Sequence, residues 1–238
     1  MAENNIDIYH EIIKRISKNK ISTTEIADCL GKTGAIEGVI PLNKGQFRVG
    51  KVFFAYAYNE SNYDLHRQLQ DVNEGDIVLI ETLNCNNRAV FGDLVSKYLI
   101  LYKQAAGIIV NGYMRDAQRL LKENYPIWCK GVSPLGCFNK KIESPIEQGI
   151  LSKWQEKYEN AIVVCDDSGV IIIPKNMITL EFLEKLDFIE LQEDIWYYCI
   201  DTKKWSTYDT VSLKKYFNTN LLPEELKNKF EEFIKKTE

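Results

Sequence analysis

The stretch that decides the fold runs from Gly92 to Asp116 and reads GDLVSKYLILYKQAAGIIVNGYMRD. Its first half predicts a helix from about Leu94 to Ala105, because apolar side chains recur there at helical spacing. Gly107 then opens an apolar β-strand that we expect to end at Asn111-Gly112. A short second helix is predicted to follow Asp116, from Ala117 to Lys122. A helix, a strand and a helix in this order favour an α/β fold.

Two helices are predicted before this stretch. The first covers residues 8–17 and gathers its isoleucines on one face: Ile8, Ile12, Ile13 and Ile16. Ser22-Thr23-Thr24-Glu25 has the capping-box pattern that opens a helix, and Gly31 suits the end of that helix.

Short apolar runs rich in Val, Ile and aromatic residues predict β-strands on both sides of the quoted stretch. These runs are 46–57, 77–81, 126–129, 161–165 and 170–173. The last two are separated only by Asp166-Asp167-Ser168-Gly169, which is typical of a tight hairpin. The mixture of strands and helices along the chain again favours the α/β class.

The character of the chain changes near residue 189. An aromatic-rich, strand-like stretch covers 196–208, and an amphipathic helix begins near Pro223. Its apolar stripe consists of Leu226, Phe230, Phe233 and Ile234. We therefore expect one domain over 1–188 and a C-terminal extension over 189–238.

Composition excludes several classes of protein. The 238 residues carry a net charge of -4 without a concentrated basic patch, so we expect no nucleic-acid partner. The longest apolar run is strand-sized, and the N-terminus does not resemble a secretory signal, so we expect no membrane partner and a cytoplasmic location. Six cysteines without a C-x-x-C pair, and only two histidines, argue against a zinc site and favour reduced thiols.

Four stretches in order resemble the RraA-like family, which includes the regulator of ribonuclease activity A and the 4-hydroxy-4-methyl-2-oxoglutarate aldolases. The quoted stretch is similar to the family's central signature of a glycine-acid-leucine helix start, a buried strand and an Arg-Asp pair. The other three stretches are 22–31, 74–78 and 164–174. The resemblance covers about 20–188. It implies a layered α/β/α fold of the swivelling β/β/α type.

The resemblance also implies a metal-dependent lyase that cleaves a 4-hydroxy-2-oxo acid to pyruvate, or decarboxylates oxaloacetate, through an enolate. Asp116 would hold Mg²⁺ or Mn²⁺, and Arg115 would bind the substrate carboxylate with its planar fork. The backbone of Gly92, Asp93 and Leu94 would bind the substrate at a helix start, and Asp93 would direct the water that takes a proton. The resemblance further implies a homotrimer or a hexamer.

Three features depart from the family pattern. Asn111-Gly112 stands where the family strand often ends in Asp-Gly, and Arg119 stands where an acid is frequent. The spacing from Gly92 to Arg115 is about one residue longer than in the family. These departures concern metal coordination and the choice of substrate more than the fold.

Other interpretations of the same residues stay open at this point. Asp116 or Asp93 would serve simply as a helix cap, and Arg115 as half of a surface ion pair. Lys97 or Lys103 would form a Schiff base only if it were desolvated. Asp166-Asp167 is better explained as a hairpin turn than as a metal pair, and the 196–208 aromatics as packing rather than a ligand site.

Two other functions compete with the lyase. One is a non-catalytic protein-binding regulator of the ribonuclease-regulator type. The resemblance implies that regulator-type members depart from the Arg-Asp pair, so the presence of Arg115-Asp116 here favours the enzyme. The other is a scaffold that has lost its activity, which the altered acid positions leave open.

Overall fold

The structure, a computed structural model, describes the backbone of residues 2–237 and the side chains of residues 8–235. The helices are α1 (Ala2–Asn19), α2 (Thr23–Cys29), α3 (Tyr63–Gln68), α4 (Asp93–Lys97), α5 (Ala117–Glu123), α6 (Gln148–Tyr158), α7 (Leu180–Tyr197) and α8 (Glu224–Thr237). The strands are β1 (Ile40–Pro41), β2 (Arg48–Tyr58), β3 (Ile77–Leu83), β4 (Gly107–Met114), β5 (Ile127–Val132), β6 (Ile162–Asp166) and β7 (Gly169–Ile173). Over the described range, no helix combines the length and apolar character that crossing a membrane requires.

All seven strands form one mixed sheet in the order β1-β5-β4-β3-β2-β6-β7. The strands β2, β3, β4 and β5 are parallel to one another, whereas β1, β6 and β7 pair antiparallel with their neighbours. The segment before β1 returns to the opposite edge, where Ile36 N donates to Val170 O at 3.0 Å and Ile172 N donates to Gly34 O at 2.9 Å. The sheet is therefore curled into a nearly closed, barrel-like form.

Apolar residues cover both faces of the parallel strands. On one face, Val78 and Ile108 pack with Leu99 and Leu120 beneath the helices. On the other face, residues such as Leu79 and Ile109 pack against the inner side of β6 and β7. This arrangement, with helices on one side and the folded-over sheet on the other, confirms the predicted layered α/β fold of the β/β/α type.

Among the strands of the sheet and the helices around it, most predicted elements are confirmed and two need correction. Ser22 and Glu25 form the reciprocal capping box at the start of α2, and β6 and β7 form the predicted hairpin. The helix predicted over 94–105 is present but ends earlier: α4 continues directly into a π-helical turn at Tyr98–Tyr102.

The second correction concerns β4, which does not end at Asn111-Gly112 but continues to Met114. Asn111 still pairs with Glu81 of β3. This position requires a glycine, because a Cβ on Gly112 would clash with Thr82 at 2.6 Å from its Cγ2. The glycine therefore allows close strand packing rather than a turn.

The chain divides into two compact units between Thr179 and Leu180. The second unit has its own core, formed by buried residues of α7, α8 and the turns between them: Ile195, Cys199, Tyr216, Leu222 and Phe230. The prediction of a strand-like stretch over 196–208 is wrong. Trp196 lies in α7, and π-helical turns follow at Tyr198–Thr202 and Tyr208–Ser212, because the aromatic rings pack between helices and not across a sheet. Phe233 of the predicted stripe stacks on Phe188, with ring centroids 4.6 Å apart.

Candidate functional site

The candidate site forms where the loop before α4 runs beside the carboxyl end of β4. Val90 N donates to Tyr113 O at 2.9 Å, and Arg115 N donates to Phe91 O at 3.0 Å. These two bonds extend the pairing of β4 by one short, irregular segment. They place Gly92 next to Arg115 and Asp116, although more than twenty positions separate them in the sequence.

Gly92 is in contact with both predicted site residues. A Cβ built on it would lie 2.0 Å from Asp116 Oδ2 and 2.8 Å from Arg115 Cγ. Its φ of -143° is accessible to any residue, so the requirement for glycine is one of space. The sequence predicted that this glycine would admit a substrate. The structure shows that the group approaching it is the Asp116 carboxylate.

Asp116 precedes α5 in the left-handed conformation, with φ 60° and ψ 33°, which Asp tolerates better than most residues. Its carboxylate does not cap its own helix. Instead Asp116 Oδ2 accepts a hydrogen bond from Asp93 N at 3.1 Å. The structure therefore does not support the interpretation of this side chain as a simple helix cap.

Asp93 is the first residue of α4, after Gly92 at the cap position. Its Oδ2 lies 2.7 Å from Arg119 Nη1, in an ion pair that links α4 to α5. This guanidinium lowers the pKa of the Asp93 carboxyl, which also lies against the carboxyl of Asp116. Leu94 is 79% exposed, so only its backbone is suited to the site.

Arg115 extends over the loop that follows β5. Its Nη1 lies 3.0 Å from the position of a Cβ on Gly136, and its Nε lies 3.6 Å from Asp116 Oδ2. The side chain remains 52% exposed, so its fork is open to a ligand. The sequence did not predict this use of the 133–138 loop, because Pro134 and Gly136 mark a loop without marking what it contacts.

An open pocket of about 540 Å³ lies at the start of α5. It is lined by Asp93, Asp116, Ala117, Gln118, Arg119 and Lys122. Two carboxylates and two cationic side chains thus line one small volume, and Arg115, which does not line it, lies beside Asp116 with its Nε 3.6 Å from Asp116 Oδ2. Such a site suits a small anion, and the adjacent carboxylates suit a hard cation. Arg119 is the member that the sequence did not predict in this role, because its partner Asp93 lies on a different helix.

The structure gives little support to the competing residues. Lys97 is exposed, and Lys103 Nζ donates to Gln70 O at 2.7 Å, so neither is a desolvated amine. Asp166 belongs to the hairpin turn, where its carboxylate accepts bonds from Thr23 N and Ser168 N, both at 2.7 Å.

Sequence reasoning also missed a buried polar cluster in the second halves of β3 and β4. Glu81 is 4% exposed and accepts a short hydrogen bond from the Tyr158 hydroxyl. Asn111 Nδ2 donates to its other oxygen at 2.7 Å. Burial, followed by the nearby Glu81 carboxylate, raises the pKa of Tyr158. An acid inside the apolar run IVLIE was the signal, since a buried charge requires partners.

Comparison with known proteins identifies the family. A family model described as "RraA-like: Aldolase/RraA" matches residues 23–172. This range contains all of the described site and the curled sheet except the last residue of β7.

Two curated proteins are similar in sequence to this chain. Protein DlpA of Legionella pneumophila is 22% identical over 184 residues, which cover 75% of this chain and only 30% of that protein. A protein of Halalkalibacterium halodurans, provisionally named a 4-hydroxy-4-methyl-2-oxoglutarate aldolase, is 29% identical over 169 residues, covering 65% of this chain and 73% of that protein.

Two solved structures share the fold. An uncharacterized protein from Pseudomonas syringae has a TM-score of 0.62 and 20% identity, covering 81% of this chain and 93% of its own. RraAS2 of Streptomyces coelicolor, described as an unusual member of the RNase ES inhibitor RraA protein family, has a TM-score of 0.59 and 20% identity, covering 77% and 96%. With the family model matching more than half of its length, the chain belongs to the RraA-like family.

Proposed function

We propose that this protein is a divalent-metal-dependent lyase that acts on a small 2-oxo acid in the cytoplasm. The supporting observation is the contact between Gly92-Asp93 and Arg115-Asp116, two segments that are distant in sequence. Membership of a family with aldolase-named relatives supports the same reaction class. The proposed reaction is retro-aldol cleavage of a 4-hydroxy-2-oxo acid to pyruvate, or decarboxylation of oxaloacetate through the same enolate.

The donor set fits Mg²⁺ or Mn²⁺. The carboxyls of Asp93 and Asp116 lie against each other, and both line the same open pocket. Within residues 8–235, no group of three or more His, Cys, Asp or Glu side chains is placed to hold a metal. Mg²⁺ accepts one or two carboxylates together with several waters, so Asp116 would hold the ion with help from Asp93. Stabilisation of the enolate oxygen by a Lewis acid is the chemistry that such an ion supplies when bound.

Residues of the protein itself would bind the substrate, position the Asp116 carboxylate and assist proton transfer. The exposed Arg115 guanidinium binds the substrate carboxylate, because its planar fork matches two oxygens. The Gly92-Asp93-Leu94 backbone positions the Asp116 carboxylate through the Asp93 N–H. The Asp93 carboxylate, which lines the same pocket, orients the water through which the proton of the substrate hydroxyl leaves.

The deciding experiment measures pyruvate release from a panel of 2-oxo acids, with Mg²⁺, with Mn²⁺ and with a chelator. We expect turnover of at least one 4-hydroxy-2-oxo acid or of oxaloacetate, and its loss with the chelator. Metal-independent release, or no release from any member of the panel, would contradict the proposal. The second of these results would favour the regulator or the inactive scaffold.

A further inference from the structure

The Arg119 guanidinium occupies the side of the site that a second carboxylate ligand would need. Its Nη1 lies 2.7 Å from Asp93 Oδ2, which is a charge-assisted hydrogen bond. The side chain comes from the first turn of α5 and crosses the pocket to the start of α4. The hydrogen bond and charge of Asp93, followed by the nearby Asp116 carboxylate, raise the pKa of this guanidinium.

The charges around the pocket determine how the Arg119–Asp93 ion pair affects the binding of a cation. Asp93 and Asp116 contribute two negative charges, and Arg115 and Arg119 contribute two positive ones. Arg115 Nε is 3.6 Å from Asp116 Oδ2, so each carboxylate already has a guanidinium beside it. A cation entering the pocket would meet a site that is neutral, or positive once Lys122 is counted.

From this geometry we infer that Arg119 is a positioning residue that weakens divalent-metal binding by holding Asp93 in an ion pair. The inference rests on the proposed function in placing the metal at Asp116. For Asp93 to support the ion, the Arg119 pair must open. Breaking a pair at such exposure changes an equilibrium by no more than about fivefold. The site therefore binds the metal more weakly than the same carboxylates would without Arg119.

The test is titration of the full chain with Mn²⁺ alone, without substrate, followed by electron paramagnetic resonance of free Mn²⁺. Arg119→Gln should bind Mn²⁺ about two- to fivefold more tightly than the wild type. Arg119→Lys keeps the charge and should remain near the wild-type affinity.

Lys122→Gln is the matched control. Lys122 lines the same pocket from the same helix but forms no ion pair with Asp93 or Asp116 in the described structure. It should change the affinity less than Arg119→Gln does. Adding Asp116→Asn to Arg119→Gln should remove the gain, because the ion would lose its main ligand.

Equal gains in Arg119→Gln and Lys122→Gln would overturn the inference, since net charge alone would then explain them. Weaker or unchanged binding in Arg119→Gln would overturn it too, as would the absence of Mn²⁺ binding in every variant. Turnover is measured separately: a chain without lyase activity whose Arg119→Gln variant still binds Mn²⁺ more tightly would refute the proposed function and retain this inference.

Discussion

At the residue scale, the site depends on two positions with unusual requirements. Asp116 holds a left-handed conformation, and Gly92 leaves no room for a side chain. Such backbone conformations persist when the surrounding structure holds them, and they often occur at functional sites. Here the hydrogen bond from Asp93 N and the lack of a Cβ on Gly92 together determine where the Asp116 carboxylate lies.

Asp116→Asn should abolish metal-dependent turnover while leaving the fold intact. Asn tolerates the left-handed conformation almost as well as Asp, but it lacks the charge that holds a hard cation. Asp116→Ala should lose turnover and also about 1–2 kcal/mol of stability, because Ala is disfavoured at this φ. Pyruvate release and denaturant unfolding measure the two effects.

The control for the charge change is Asp28→Asn. It removes an exposed carboxylate of α2 that forms an ion pair with Lys32. It should leave turnover unchanged. Wild-type turnover in Asp116→Asn would show that the carboxylate is not needed.

Arg115→Lys should reduce kcat/KM by about 10- to 100-fold, because an ammonium cannot reproduce a two-oxygen contact worth roughly 1.5–3 kcal/mol. Its stability should stay near that of the wild type, since the side chain is 52% exposed. Arg67→Lys, at another exposed ion pair, serves as the control. An Arg115→Lys variant with unchanged kinetics would exclude the fork as the carboxylate-binding group.

Gly92→Ala should destabilise the protein by about 1–3 kcal/mol and impair turnover, because its methyl group would displace the Asp116 carboxylate. Gly149→Ala in α6 is the matched control: the nearest atom to its Cβ would be 3.6 Å away. That variant should be neutral or slightly stabilised. Denaturant unfolding of both variants checks the comparison, and equal stabilities would argue against the close contact at Gly92.

At the element scale, the sheet determines which residues meet. The parallel register of β3 and β4 places Glu81 next to Asn111. The loop before α4 then continues along β4 and brings Gly92 to Arg115. Glu81 accepts hydrogen bonds from Asn111 of β4 and from Tyr158 of α6, so this buried cluster links both strands to that helix.

Tyr158→Phe should lower the free energy of unfolding by about 1–3 kcal/mol, since it leaves Glu81 buried without one of its two side-chain donors. Tyr208→Phe, at a tyrosine that is 63% exposed, should change stability little. Chemical denaturation compares the two. Equal stability of Tyr158→Phe and the wild type would mean that water replaces the lost hydroxyl.

At the scale of the whole molecule, α4 and the turn after it carry an exposed apolar surface. Leu94, Leu101 and Tyr102 are 79%, 52% and 72% exposed. Apolar and aromatic residues in such numbers are typical of protein interfaces. Because this surface adjoins Asp93, we propose that the chain assembles into a homotrimer or hexamer and that this surface joins its copies.

Tyr102→Asp should shift the assembly towards the monomer, because a charge would then be buried in the interface. Light scattering at micromolar concentration gives the mass of each species. Ile40→Asp, at another exposed apolar position (56%), should leave the assembly unchanged. A monomeric wild type would contradict the proposed assembly.

The sequence by itself determined the class of fold and most of its elements. Local signals suffice for these: the capping box at Ser22, the hairpin after Asp166, and the period of α1 were all predicted correctly. The sequence also indicated the Gly92 and Arg115-Asp116 segments as one site through their resemblance to a family, and the structure brings these segments together.

Only the tertiary structure decided what the site residues contact. The sequence could not show that Asp116 bonds to Asp93 N, that Arg119 pairs with Asp93, or that Gly136 lies under Arg115. It also misjudged 196–208, where aromatic residues that favour strands pack between helices of a separate core. The physical reason is the same in each case: pairing and packing across the chain depend on positions that a local pattern does not specify.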